Sequence, residues 1–194
     1  MTENYLQGGE KLMRKFFTIL LLGVCLLLIG CTSQNSSDID ADNENHTEKT
    51  LTLIDVNQFS RISPEELIEI MGEPNSRDEW DNLTSRGRVL IEIYEYDGYD
   101  FFIADNSVVR MNIYSEKYYN PDGDGIKFST EEDIFHMLNI PIDYDRIKKI
   151  ADTGYALRYS PVSDKVADVW CVGIDKDNNS IEEIRVTFNL NYFQ

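Results

Sequence analysis

The chain has 194 residues and a formal net charge of −17, because its 35 acidic side chains outnumber its 18 basic ones. Such a negative field repels nucleic acids and anionic membrane surfaces, and it excludes nucleic acid as a partner. Two histidines and three cysteines offer few residues for metal binding or nucleophilic catalysis, and the cysteine spacing matches no zinc or redox motif.

In residues 13–31, two positive charges, Arg14 and Lys15, precede an apolar run that ends at Cys31, directly after Leu28-Ile29-Gly30. This pattern resembles a bacterial lipoprotein signal peptide. The run is shorter than the roughly 20 apolar residues that a transmembrane helix needs, which favours a cleaved signal segment over a membrane span. The resemblance implies cleavage before Cys31 and attachment of lipid to its thiol and to the new amino group. The protein is therefore predicted to be lipid-anchored to the extracytoplasmic face of a bacterial membrane.

The residues before Met13 do not fit such a signal. They contain Glu3 and Glu10, whereas the start of a signal peptide is short and positively charged. We predict that translation starts at Met13 and that the signal peptide ends at residue 30.

A polar segment follows the signal. Residues 31–50 are dominated by Ser, Asn, Asp and Glu, and Ile39 is their single large apolar residue. A segment of this composition cannot bury enough surface to offset the entropy lost on ordering. We predict a lipidated, disordered tether that connects the membrane to a folded domain at 51–194.

The folded domain is predicted to begin with a helix and a three-stranded meander. Ser63, Pro64 and Glu66 supply an N-cap, a proline at the first helical position and a capping-box acid, and Gly72 ends the helix. Residues 75–87 are polar and predict a loop. Alternating apolar residues separated by tight-turn dipeptides then predict strands at 88–96, 99–104 and 107–114.

The same order of elements is predicted a second time. The segment around Ser129 aligns with the start of the first helix, and a further short helix is predicted at 144–150. Both segments together predict an α+β fold of two tandem repeats, at 59–119 and 126–190, each a helix plus a three-stranded antiparallel meander. The strands of the second repeat are predicted at 155–159, 165–174 and 181–190.

A family resemblance accompanies this plan. The helix start at 63–66, the motif at 71–74 and the strands up to Tyr114 resemble the SmpA/OmlA (BamE-like) lipoprotein domain. The doubled form is similar to the β-lactamase-inhibitor-protein-like fold. The resemblance covers roughly residues 59–190 and implies a protein that binds protein partners in the cell envelope.

One loop has the spacing of a calcium site. Asn120, Asp122, Asp124 and Glu131 occupy positions one, three, five and twelve of a calcium-binding loop, with glycine at six. Asn120 replaces the usual aspartate, and a predicted strand rather than a helix precedes the loop. The alternative is a turn between the repeats, with Glu131 in the first turn of a helix whose dipole favours a negative charge.

The second candidate site is a set of aromatic side chains in the first meander. Tyrosine is favoured at interfaces because it offers a large contact area at low entropic cost. Strand parity places Tyr94 and Tyr96 on one face of their strand and Val89, Ile91 and Ile93 on the other face. The tyrosines would be exposed if the isoleucine side packs on the helices. The alternative is that these rings simply cover a sheet, in which aromatic residues are favoured anyway. The candidate interface residues are Tyr94, Tyr96, Tyr99 and Tyr114.

No catalytic motif is present in the sequence. His136 lies on a predicted helix, and Cys171 lies in a strand pattern typical of a buried structural thiol. The sequence therefore predicts a non-enzymatic binding module that requires no cofactor and binds an envelope or extracellular protein. The alternative is a lipoprotein that binds a small ligand or calcium through the loop at 120–131.

Overall fold

Alternating apolar and polar residues build one antiparallel sheet. The computed structural model describes residues 52–85, 87–118 and 125–194, and these contain nine strands. The strands are β1 Ser76–Thr84, β2 Gly87–Tyr96, β3 Tyr99–Ala104, β4 Ser107–Tyr114, β5 Ile126–Lys127, β6 Lys149–Asp152, β7 Ala156–Tyr159, β8 Asp168–Asp175 and β9 Ser180–Thr187. Their spatial order is β1-β2-β3-β4-β9-β8-β7-β6, and β5 pairs with the start of β9.

The centre of the sheet is the pairing of β4 with β9. Strands β1–β4 form one meander and β6–β9 form another, and the last strand of each meander meets the last strand of the other. The antiparallel register runs from Arg110 opposite Thr187 to Tyr114 opposite Glu183. This pairing makes one continuous sheet out of the two halves of the chain.

Two helices pack on one face of the sheet, and both have capping boxes. They are α1, Pro64–Met71, and α2, Glu131–Met137. The backbone N–H of Glu66 donates to the Ser63 hydroxyl at 3.2 Å, and the Glu66 carboxylate accepts from the Ser63 N–H at 2.9 Å, which confirms the predicted start of α1. The helix ends at Gly72, whose φ of 81° favours a residue without a side chain.

The main core lies between these helices and the face of the sheet that they cover, called here the helix face. Strands β3, β4, β7, β8 and β9 contribute alternate residues to it. Its fully buried members include Phe59, Leu67, Phe101, Ile103, Met111, Ile113, Ile126, Ile134, Leu138, Cys171, Ile184 and Phe188.

The opposite face, called here the open face, has a smaller apolar cluster at one end. Four buried residues form it, and the half-buried rings of Tyr192 and Phe193 at the end of the chain pack against them. Trp80 of β1 contacts the same cluster through Phe193, with ring centroids 6.3 Å apart. The buried members are Ile91, Phe102, Ala104 and Val109.

The predicted fold of two tandem helix-plus-three-strand repeats is wrong. The described residues form mainly one antiparallel sheet of nine strands with two α-helices. Residues 75–87, predicted as a loop, contain β1, and the segment 144–150, predicted as a helix, contains a turn and the start of β6. Strand β1 gave no periodic signal because it lies at the sheet edge, where nearly all of its side chains are exposed. The predicted strands at 88–96, 99–104 and 107–114 agree with β2, β3 and β4.

Some predictions fall on residues that the structure does not describe. The predicted signal peptide, the lipidation site Cys31 and the predicted tether all lie outside the described residues. From residue 52 onward, no described helix has both the length and the apolar character needed to cross a membrane.

Replacing Phe101 by alanine tests the main core. The ring is fully buried and packs against Phe59 and Tyr96, with centroids 5.0 and 5.6 Å away. Phe101→Ala should lower the free energy of unfolding by about 3–5 kcal/mol, because it leaves a cavity in a close-packed core. The matched control is Leu83→Ala, whose side chain is 74% exposed and which should change stability by less than about 0.5 kcal/mol. Guanidinium unfolding followed by circular dichroism measures both, and equal effects would contradict this core assignment.

Candidate functional site

The structure describes one of the four predicted calcium ligands, Glu131. Asn120, Asp122 and Asp124 lie outside the described residues. The Glu131 carboxylate accepts hydrogen bonds from the Lys149 ammonium at 2.8 Å and from the Tyr159 hydroxyl at 2.6 Å. Burial raises the pKa of Glu131, but these hydrogen bonds outweigh it, so the pKa is lowered overall. Both carboxylate oxygens are engaged within the protein, and the calcium site stays a prediction.

Within the described ranges, no group of three or more His, Cys, Asp or Glu side chains is arranged to hold a metal ion. Several acidic side chains in this part of the chain form ion pairs, such as Glu131 with Lys149 and Asp168 with Arg158.

The predicted tyrosine interface is divided between the two faces of the sheet. Tyr94 is only 5% exposed and belongs to the main core, and the Tyr96 hydroxyl donates to the backbone carbonyl of Gly72 at 3.0 Å. Tyr99 packs against the main core and pairs with the Tyr118 hydroxyl. Tyr114 lies on the open face. The expectation that the helices cover the isoleucine side of β2 is wrong, because they cover the side that carries Tyr94 and Tyr96.

The open face carries a row of polar and aromatic side chains that crosses the central strands. Asn112 of β4 is opposite Arg185 of β9, Arg185 is opposite Trp170 of β8, and Trp170 is opposite Arg158 of β7. Residues that face each other in this way have side chains about 4.5–5.5 Å apart at Cβ and contact one another. The register of these four strands therefore places one arginine on each side of the Trp170 indole.

The two guanidinium groups lie close to the Trp170 ring. The Arg158 guanidinium carbon is 5.2 Å from the ring centroid and that of Arg185 is 5.1 Å away, which are cation–π distances. The Arg158 Nε donates to the Asp168 carboxylate at 2.8 Å. The Asp168 side chain is only 2% exposed, so this buried ion pair holds the Arg158 side chain in place.

A second row on the open face adds a third arginine. Arg110 of β4 is opposite Thr187 of β9, and its Nε donates to the Thr187 hydroxyl at 3.1 Å. The Arg110 guanidinium stacks on the Phe193 ring, 3.4 Å from its centroid. Burial, together with the positive charges of Arg185 and Arg158, lowers the pKa of Arg110 to about 10. This set, Arg110, Arg158, Trp170 and Arg185, is called here the arginine cluster.

A hydrogen-bonded acidic network borders the arginine cluster. The Arg185 guanidinium donates to Glu183 at 2.6 Å, and the Asn112 amide donates to the other Glu183 oxygen at 2.9 Å. The Tyr114 hydroxyl donates to Asp100 at 2.6 Å. Burial and the hydrogen bond to Asp100 raise the pKa of Tyr114 to about 12. Burial also raises the pKa of Asp100 above its usual value.

Within the described part of the chain, two buried polar atoms of this region have no hydrogen-bond partner from the protein. They are Oδ1 of Asn112 and Nε of Arg185, and they belong to residues that face each other across β4 and β9. An unpaired buried polar atom costs free energy, so such atoms are rare in folded proteins. The hydrogen-bonding capacity of the open face is thus incompletely used at Arg185, within the arginine cluster, and at the neighbouring Asn112.

Sequence reasoning missed the arginine cluster. Arg110, Arg158 and Arg185 each alternate with apolar residues of a strand, which predicts that each faces away from the core. That pattern identifies the face of each arginine within its own strand. It cannot show that β4, β7 and β9 lie within the same sheet in an order that brings the three together.

Comparisons with known proteins give structural matches of low similarity. No protein-family model and no curated protein sequence matches the chain. Among solved structures, it is similar to an extracellular protein containing a SCP domain from Bacillus anthracis, with 16% identity and a TM-score of 0.37 over 81% of this chain and 50% of that one. It is also similar to a cysteine-rich secretory protein from Staphylococcus aureus, with 9% identity and a TM-score of 0.30 over 72% of this chain and 50% of that one.

The chain spans about half the length of both matched structures. The resemblance to SmpA/OmlA (BamE-like) and β-lactamase-inhibitor-protein-like repeats is wrong, because the described strands form one continuous sheet rather than two helix-plus-three-strand repeats.

Replacing Asp100 by asparagine tests the acidic network. Because the pKa of Asp100 is raised in the folded state, its contribution to stability is complete below its unfolded pKa and is lost as the pH rises through the folded pKa. Asp100→Asn removes this titration and keeps an oxygen that can accept from Tyr114. The free energy of unfolding of the variant relative to wild type should therefore increase between about pH 3 and pH 7.

Urea unfolding at both pH values measures this difference. Glu69→Gln, at an exposed position of α1, controls for the loss of one negative charge. A difference for Asp100→Asn that stays constant or decreases with pH would be incompatible with the raised pKa.

Proposed function

We propose that the protein is a non-enzymatic binding module, anchored by lipid on Cys31 to the extracytoplasmic face of a bacterial membrane. Its partner is an envelope or extracellular protein, which it binds through the arginine cluster on the open face. The observation that carries this proposal is the partly exposed row of Arg158, Trp170 and Arg185 across three neighbouring strands.

Arginine and tryptophan are the residue types that most often dominate binding energy at protein interfaces. Both lose less conformational entropy on binding when they are already held in place, and here the sheet register and the pair with Asp168 hold them. The cluster lies on the central strands rather than on a loop, so its geometry is fixed by the backbone pairing. A partner would therefore meet a preformed surface.

The positions of the two candidate catalytic residues favour binding over catalysis. Cys171 is fully buried in the main core, and burial raises the pKa of its thiol well above the usual range. A protonated, inaccessible thiol is not a nucleophile. His136 is exposed on α2, and its backbone carbonyl rather than its imidazole accepts the hydrogen bond from Thr52.

The proposed location rests on the sequence of residues 13–31. A location outside the cytoplasm also agrees with the descriptions of the two matched structures as extracellular and secretory proteins. Anchoring by lipid goes further than those descriptions and is proposed from the signal sequence that ends at Cys31.

Replacing Cys31 by serine tests the anchor. The variant lacks the thiol that would carry lipid, so it should fail to incorporate labelled palmitate. Cys25→Ser is the matched control, because Cys25 lies inside the predicted signal peptide and its loss should leave anchoring intact. Palmitate labelling of cells that express each full chain gives the result, and a Cys31→Ser protein that carries palmitate would refute the anchor.

Site-specific crosslinking tests the binding surface. A photo-crosslinking amino acid at Val172, half-buried on the open face beside Trp170, should trap a partner protein in intact cells. The same amino acid at Ile70, exposed on α1, is the matched control and should trap none. The crosslinked product is detected by immunoblot and identified by mass spectrometry.

A double variant shows whether the arginine cluster is required for that crosslink. Arg158→Gln combined with Arg185→Gln should remove the product trapped at Val172. Arg88→Gln, at an exposed arginine paired with Asp81, should leave it unchanged. A product that survives loss of both cluster arginines would show that the partner binds elsewhere.

A further inference from the structure

We propose that the arginine cluster recognises the carboxylate of an acidic side chain, aspartate or glutamate, in an exposed segment of the partner protein. This inference rests on the proposed function and adds the chemistry of the partner.

The cluster presents hydrogen-bond donors in the geometry that a carboxylate fits. Arg110 and Arg158 each use Nε for a partner within the sheet, Thr187 and Asp168 respectively. Their terminal nitrogens form no hydrogen bond within the described part of the chain. Two adjacent N–H groups of a guanidinium bind a carboxylate bidentately, which gives stronger and more directional bonds than a lysine would.

The local charge balance also favours an anion. Two of the three guanidinium groups pair with a carboxylate, Arg158 with Asp168 and Arg185 with Glu183. Among the described residues, Arg110 forms no ion pair. The three arginines therefore exceed their paired carboxylates by one positive charge, and a bound carboxylate would neutralise it in a partly desolvated site.

The surroundings select a single carboxylate on a peptide rather than an extended anionic surface. The whole chain has a net charge of −17, which repels anionic membranes and nucleic acids at a distance. Trp170 and Phe193 lie within the same surface and offer aromatic contacts to a peptide chain. An acidic side chain on a protein segment satisfies both conditions.

Fluorescence of Trp170 provides a direct measurement. In a Trp80→Phe background, Trp170 is the single tryptophan that remains in the chain. The full chain is placed in neutral phosphatidylcholine nanodiscs at low salt and titrated with the blocked peptide Gly-Gly-Glu-Gly-Gly or with its Gln counterpart. We expect the Glu peptide to change the fluorescence and to bind at least about tenfold more tightly than the Gln peptide, since a charge-assisted pair replaces a neutral contact.

Variants of the cluster arginines show whether the Glu peptide binds at the arginine cluster. Arg158→Gln should weaken binding of the Glu peptide at least about tenfold, whereas Arg88→Gln should leave it unchanged. Arg158→Lys keeps the positive charge but loses the paired N–H groups of the guanidinium. Its affinity for the Glu peptide should therefore fall between those of Arg158→Gln and Arg88→Gln. Circular dichroism of each variant separates loss of binding from loss of folding, and Arg110→Gln gives a second test if Arg158→Gln does not fold.

The outcomes separate this inference from the proposed function. Equal affinity for the Glu and Gln peptides, or no effect of any cluster arginine, would overturn the carboxylate proposal. Preferential binding of phosphatidylglycerol vesicles over the Glu peptide would overturn it in favour of a lipid surface. If the crosslink at Val172 still requires Arg158 and Arg185 in either case, the module binds a partner of other chemistry and the proposed function stands.

Discussion

The pairing of β4 with β9 is the contact on which both the fold and the open face depend. Each of these strands is the last of a meander, and neither meander would have a covered edge at this position without the other. The paired residues alternate between two environments. Met111, Ile113, Ile184 and Val186 enter the main core from the helix face, while Arg110, Asn112, Arg185 and Thr187 line the open face. One set of backbone hydrogen bonds therefore supports the core and aligns the arginine cluster at the same time.

A buried ion pair in the cluster has a positioning role that stability alone does not explain. Asp168 is almost completely buried, and taking a carboxylate out of water costs several kcal/mol that an ion pair only partly recovers. An apolar residue would fill the same place at lower cost. What Asp168 provides is a fixed position for the Arg158 side chain, whose Nε donates to the Asp168 carboxylate while the side chain stays 31% exposed.

Local signals in the sequence were strong wherever one residue pattern determined one element. The capping box of Ser63 and Glu66 and the alternation of β4 lie within short segments, and both agree with the structure. The edge strand β1 carries no such pattern, because a strand that buries few side chains has no reason to alternate. The arginine cluster was out of reach for a different reason. Arg110 joins the other three residues through the pairing of residues more than seventy positions apart, such as Arg110 and Thr187, and nothing in a single sequence specifies that pairing.

The polarity that concealed β1 from sequence reasoning has a consequence for how copies of this protein behave beside one another. An edge strand offers free backbone groups to any strand of another molecule, and long, flat, apolar edges lead to association of sheets. β1 instead carries Arg77, Asp78, Glu79 and Asp81 along its exposed length. A second copy that added its own β1 to this edge in antiparallel fashion would bring several carboxylates together. For a protein proposed to be concentrated on a membrane surface, this charged border keeps neighbouring molecules separate and leaves the open face of each one accessible.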